Sequence, residues 1–197
     1  AILQDQDCRL ASLINAGSLQ HQITQGPDQG QTAAFWLARI SAGRTLLQHQ
    51  DYRLARLITK DSLNCVIQQG TYKDECVAFW LASSHKGLDI LRDQDYRLAR
   101  LINEDSLNRV LEQGPDKDQS IVFWLAKKTV GRAILKDQRY RLARLINENS
   151  LNHVIEQGVY KDYSAALYFQ IYPEGEAILQ AVGLQNQRPL LNNCCTI

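Results

Sequence analysis

Apolar and polar positions recur along this chain with a step of 44 residues. Arg53-Leu54-Ala55-Arg56-Leu57-Ile58 returns as Arg97 to Ile102 and as Arg141 to Ile146, with a weaker copy from Arg9 to Ile14, without insertion or deletion. Phe35-Trp36-Leu37-Ala38 returns at Phe79 and at Phe123. Gly43, Gly87, Gly131 and Gly175 form another column, as do the Ser-Leu pairs starting at Ser18, Ser62, Ser106 and Ser150. Four aligned copies make a tandem repeat, and such periodicity governs the fold reading.

Each unit reads as helical. At 100° per residue, Leu54, Ala55, Leu57 and Ile58 share one side of Tyr52 to Lys60 and Arg53, Arg56 and Lys60 the other, which predicts an amphipathic helix. A second helix is expected from Asp105, capped by Asp105 or Ser106, with Leu107, Val110 and Leu111 as its stripe and Gly114-Pro115 as its stop. The Phe-Trp-Leu-Ala segment predicts a third helix. Ile121, Val122, Trp124 and Leu125 cluster on the wheel while Phe123 points away, so this helix is expected to be buried on both sides, between its own unit and the next. A short fourth helix is expected from Leu88 to about Leu91, after a break that Pro173 marks in the last unit.

The fold class that follows is all-α: an α-solenoid of about four 44-residue helical repeats spanning residues 1–182. At roughly 10 Å per packed layer its body is roughly 40 Å long. Leu167-Tyr168-Phe169-Gln170 replaces Phe-Trp-Leu-Ala in the last unit, and Gln170 at an otherwise Ala column suits a unit whose outer side meets water. Ala1 to Gln6 aligns with Ala133 to Gln138, mid-unit, so the chain is expected to begin partway through a repeat, after a missing N-terminal part or an unlike cap.

Composition narrows the function. With 22 Lys and Arg against 21 Asp and Glu among 197 residues, no bulk charge favours nucleic acid, and no nucleic-acid partner is expected. No apolar run reaches the ~18–20 residues that span a bilayer, and no signal peptide is evident. No Cys-x-x-Cys, His-Glu-x-x-His or Gly-rich phosphate loop occurs, so no enzymatic activity, metal or cofactor is expected. The five scattered cysteines, with Cys8 and Cys76 read as packing residues, suit a reducing compartment.

The end of the chain carries its own signal. Cys194-Cys195-Thr196-Ile197 matches the C-a-a-X pattern for prenylation of Cys194, at the tip of a polar tail, 183–197, that lies outside the repeat register. Ile197 leans the expectation towards geranylgeranyl. The bland reading is an accidental terminal cysteine. One lipid chain anchors only marginally, and Arg188 is the tail's only base, so the second membrane signal is expected from a protein or lipid contact of the array.

Four columns are candidate binding surfaces. Arg53 and Arg56, Arg97 and Arg100, and Arg141 and Arg144, preceded by Arg9, would stack into a basic stripe for an acidic partner or anionic headgroups; salt bridging within the array, with Glu104, Glu148, Asp51, Asp95, Glu112 or Glu156, is the competing reading. Trp36, Trp80 and Trp124 could form an aromatic platform, but their wheel position reads as core. The loops 26–30, 70–74, 114–118 and 158–162 vary modestly along one edge. His21, Cys65, Arg109 and His153 share a column that changes from unit to unit, as the lining of a binding groove would.

Thr32-Ala-Ala-Phe-Trp-Leu-Ala38, followed by Gly43 and Leu46-Leu47, resembles ankyrin repeats. It departs from them in period (44 against about 33), in lacking Thr-Pro-Leu-His, and in the distance from Ala38 to Gly43. The Asn/Gln-rich repeat body together with Cys194 to Ile197 resembles effectors that Legionella-type intracellular bacteria inject into host cells. That resemblance implies a host prenyltransferase acting on the tail, an address at the cytosolic face of a host membrane, and a host protein partner. The resulting expectation is a non-catalytic interaction scaffold tethered through Cys194. Its rivals are the targeting half of an enzyme whose catalytic domain precedes Ala1, and an unmodified cytosolic adaptor.

Overall fold

The structure, a computed structural model, describes residues 13–26 and 28–183. The described residues are all-helical, with no strand and one isolated antiparallel bridge between Gln22 and Thr32. The helices are α1 (Ala16–Gln20), α2 (Ala33–Arg39), α3 (Ser41–Arg56), α4 (Lys60–Asn64), α5 (Val77–Ala82), α6 (His85–Tyr96), α7 (Glu104–Asn108), α8 (Ile121–Lys127), α9 (Thr129–Tyr140), α10 (Glu148–Asn152), α11 (Ala165–Ile171) and α12 (Pro173–Val182). Short 3-10 turns occupy Ala99–Leu101, Ala143–Leu145 and Gly158–Tyr160.

The aromatic helices are where the periodicity predicts them. In α8, Ile121 to Ala126 are all buried, and α8 packs against both α5 and α11. Thr32, Ser120 and Ser164 start three of these helices, each side chain accepting a hydrogen bond from the backbone N–H three residues on. One cluster of buried apolar side chains runs from Leu19 to Ile178.

The next helix starts earlier and runs longer than the expected Leu88–Leu91. It begins two residues before the column glycine, at Ser41, His85, Thr129 or Pro173. The glycine is required by close packing. A Cβ on Gly87 would lie 2.1 Å from the Leu81 carbonyl oxygen and 2.6 Å from the Leu81 Cα, so the long helix crosses the aromatic helix against bare backbone.

Two other expectations need correction. The amphipathic helix from Tyr52 to Lys60 is not a continuous right-handed helix. Asp51 and Tyr52, and their equivalents Asp95 and Tyr96, have φ between 54° and 62°, and Gln138, Arg139 and Tyr140 have φ of 46°, 55° and 66°. The chain thus passes through a left-handed turn before Arg97 and Arg141, and the Leu-Ala-Arg-Leu segments there close as 3-10 turns. A turn followed by a 3-10 segment puts the same leucines inward as a helix would. The second helix is also shorter than expected. It is capped by Asn103, whose Oδ1 accepts from the Ser106 N–H at 2.8 Å, and it ends at Asn108 because Arg109 is extended. Beyond it, Leu111 and Asp118–Gln119 exchange two backbone hydrogen bonds that close the loop through Gly114. Gly114 and Asp118 hold left-handed conformations there, with φ of 84° and 68°.

Candidate functional site

Several side-chain hydrogen bonds join segments that lie about 40 residues apart in the chain. Four of them belong to two asparagines, Asn64 and Asn108, that hydropathy does not single out. Asn64 donates to the Leu101 carbonyl at 2.8 Å and accepts from the Asn103 N–H at 3.0 Å. One unit on, Asn108 donates to the Leu145 carbonyl at 2.7 Å and accepts from the Asn147 N–H at 2.9 Å. Each amide reads one acceptor and one donor of that backbone, its NH2 donating and its carbonyl oxygen accepting. The Asn64, Asn108 and Asn152 column was visible in the sequence, but an amide column carries no periodic hydropathy signal.

The arginine candidates take different positions. Arg97 donates to the carbonyls of Arg56 and Ile58, at 2.8 and 3.2 Å, and Arg53 to that of Ile14 at 3.3 Å. Arg56 pairs with Asp51 at 2.6 Å, and Arg100 with Asp95 and Asp137 at 3.1 and 3.2 Å. Arg141 and Arg144 are exposed and form no ion pair with a described residue. Of the six, Arg53, Arg97 and Arg100 reach into a neighbouring unit, and Arg56 stays within its own.

The variable column lies beside the closed loops. Arg109 approaches Asp74 at 3.6 Å and His153 approaches Asp118 at 3.7 Å, each beside the left-handed Asp of the preceding loop. Where that residue is Gly30, the column residue is Cys65, which accepts from Gln22. His21 is exposed. Lys73 and Glu112 bridge the same loop to the next unit at 3.1 Å. Arg109 and His153 come together in an open groove of about 740 Å³, with Asn108, Lys117, Asp118 and Glu156 among its walls. The groove is polar, and its carboxylates outnumber its bases.

The aromatic column forms cation-lined seams. The Arg39 guanidinium lies 4.3 Å from the Tyr72 ring centroid and 5.2 and 5.5 Å from those of Trp36 and Trp80. Lys127 stands 3.5 Å over Tyr160 and 4.7 Å over Trp124. Trp124 is buried, while Trp36 and Trp80 are half-buried. Between these seams the tyrosine position holds Asp116 and the cation position Ser83. There Glu75, 2% exposed, accepts from the Trp80 indole N–H at 2.8 Å. Burial, aided by Asp116 and opposed by the indole and Arg39, pushes its carboxyl up to about 7. Burial is also what raises the Cys76 thiol, to about 11, so this cysteine is a packing group rather than a nucleophile.

No group of three or more His, Cys, Asp or Glu side chains able to hold a metal occurs among the described residues, and no described helix is long and apolar enough to cross a membrane. Cys194 and the tail from residue 184, together with Cys8 and Arg9, lie outside the described residues. Comparison with protein-family models, with curated proteins and with solved structures finds no match to this chain.

Proposed function

We propose that the protein is a non-enzymatic interaction scaffold: an α-solenoid of about four 44-residue units that offers a polar groove to a protein partner and is held at the cytosolic face of a eukaryotic membrane by prenylation of Cys194. The observation that carries this reading is the recurrence of equivalent bonds one unit apart. Asn64 and Asn108 each bind the backbone 37 and 39 residues ahead. Contacts of this kind tie each unit to its neighbour, and the column that varies, which holds Arg109 and His153, sets specificity along the groove. The tether follows from Cys194-Cys195-Thr196-Ile197 and suits a bacterial effector delivered into a host cell.

The test is intact-mass measurement after expression in eukaryotic cells, with membrane fractionation of wild type and Cys194→Ser. The expected result is a prenyl adduct on a chain shortened by its last three residues, with Cys194→Ser displaced to the soluble fraction. An unmodified chain, or a Cys194→Ser protein as membrane-bound as wild type, overturns the tether. The scaffold stands apart from it.

A further inference from the structure

The bends between aromatic and long helices form a second surface, and its charge is one-sided. Residues 39–46, 83–88 and 127–133 contain Arg39, Arg44, His85, Lys86, Lys127, Lys128 and Arg132, and not one carboxylate. Arg132 is buried and pairs with Glu174 at 3.4 Å. Arg39, Arg44, Lys86, Lys127 and Lys128 form no ion pair with a described residue; their polar contacts are neutral. Arg44 donates to the carbonyls of Ala38 and Arg39, both at 2.7 Å, Lys86 to the Thr45 hydroxyl at 2.8 Å, and Lys128 to the Ser83 carbonyl at 2.7 Å. The nearest carboxylate on α6, Asp89, faces Arg92 at 3.6 Å.

Three further features reinforce this charge. The long helices α3, α6 and α9 begin at these bends, and none has an acidic residue in its first turn. Their N-terminal dipoles add positive potential to the same edge. By contrast α12, at the last bend, carries Glu174 and Glu176 in its first turn. The bases also crowd each other. Burial, and after it the nearby charges of Lys127 and Arg44, bring the Lys128 ammonium down to about 8; an approaching anion would offset the part that these two neighbours contribute. Finally, Ile40 and Ile171 are 44% and 56% exposed at the two ends of this edge, which gives it the mixed apolar and basic character of a surface that rests on a bilayer.

We infer that the edge formed by Arg44, Lys86, Lys127 and Lys128 docks on the anionic headgroups of a membrane surface. The choice of a bilayer rests on the tether proposed above; the edge supplies the second signal that a single lipid chain lacks. The stripe built from Arg53 to Arg144 is the poorer candidate, because Arg56 and Arg100 already face carboxylates.

The test uses the full chain made without prenylation, so that its outcome does not depend on Cys194. Binding is measured by sedimentation with vesicles of phosphatidylcholine alone and of phosphatidylcholine with phosphatidylserine. Selective binding to the serine-containing vesicles is expected, weakened by added salt. Each base near an anionic surface is worth about fivefold in partition, so Lys86→Ala with Lys127→Ala should reduce binding by about 25-fold. Lys73→Ala with Lys161→Ala, which removes equal charge from the loops 70–74 and 158–162, should leave it unchanged. Circular dichroism establishes that both variants fold, and Lys86→Glu alone serves if the double variant does not. Equal binding to neutral vesicles, equal loss in the two double variants, or binding to a polyglutamate peptide with none to vesicles overturns the assignment.

Discussion

Removing the Asn108 amide separates a seam contact from ordinary surface polarity. Asn108 is 8% exposed. Its Nδ2 donates to the carbonyls of Glu104 and Leu145, at 2.9 and 2.7 Å, and its Oδ1 accepts from the Asn147 N–H and the Ser150 hydroxyl. Asn108→Ala therefore strands an acceptor and a donor of the next unit's backbone in a half-buried seam. A buried polar group left without its partner costs about 1–3 kcal/mol, and the Ser150 hydroxyl can turn to the Asn147 carbonyl, which it already approaches at 3.2 Å. The expected destabilisation is about 2–4 kcal/mol. Urea denaturation measures it, with Asn149→Ala, at an exposed position two residues past the Asn147 cap, as the reference that should change by less than about 0.5 kcal/mol. Hydrogen exchange should show amides 145–151 losing protection before those of α5. If Asn108→Ala unfolds within about 0.5 kcal/mol of wild type, the amides do not tie the units together, and the seam account fails.

The remaining predictions concern other links of the same chain. Gly87→Ala drives a methyl into the Leu81 backbone and should cost at least about 2 kcal/mol or abolish folding, whereas Gly17→Ala, whose methyl meets only the Asn15 side chain at 3.3 Å, should be tolerated; thermal melts distinguish them. Gln138→Gly relieves a left-handed residue at φ 46° and should raise the urea midpoint by the equivalent of about 0.5–1 kcal/mol. The Glu75 carboxyl holds its proton up to about pH 7 in the folded chain, against 4.5 as its ordinary value. Folded protein therefore binds the extra proton between those values, and stability should fall as pH rises from about 4.5 to 7 and level off above; Glu75→Gln should remove that slope in melts taken across the range.

Much of the layout was legible in the sequence because it rests on volume and apolarity. Phe123 stands across the helical wheel from the stripe of Ile121, Val122, Trp124 and Leu125, and all of them can be buried only if neighbours lie on both sides. The Gly87 column repeats in the sequence, but the Leu81 backbone it packs against comes from the fold alone. The conformation before Arg97 was hidden for a definite reason. A helical wheel assumes right-handed residues, and Tyr96, unlike Gly or Asn, gives no warning that its φ will be 62°. Asn103 was missed as a cap because Asp105 and Ser106 are equally good cap types two and three residues later. The seam residues were hidden for another reason. Asn64 and Asn108 act on backbone atoms some forty residues away, and Arg39 and Lys127 acquire their meaning from ring faces that only the fold brings near.

The account depends on consecutive 44-residue units stacking in one direction with equal steps. Pulsed electron spin resonance between bioorthogonal labels at Gly17, Asp61, Asp105 and Asn149, exposed positions of one column, measures those steps directly. At roughly 10 Å per layer, pairs 17–105 and 61–149 should agree near 20 Å, with 17–149 near 30 Å. Unequal two-unit distances, or a 17–149 distance shorter than either, would contradict it.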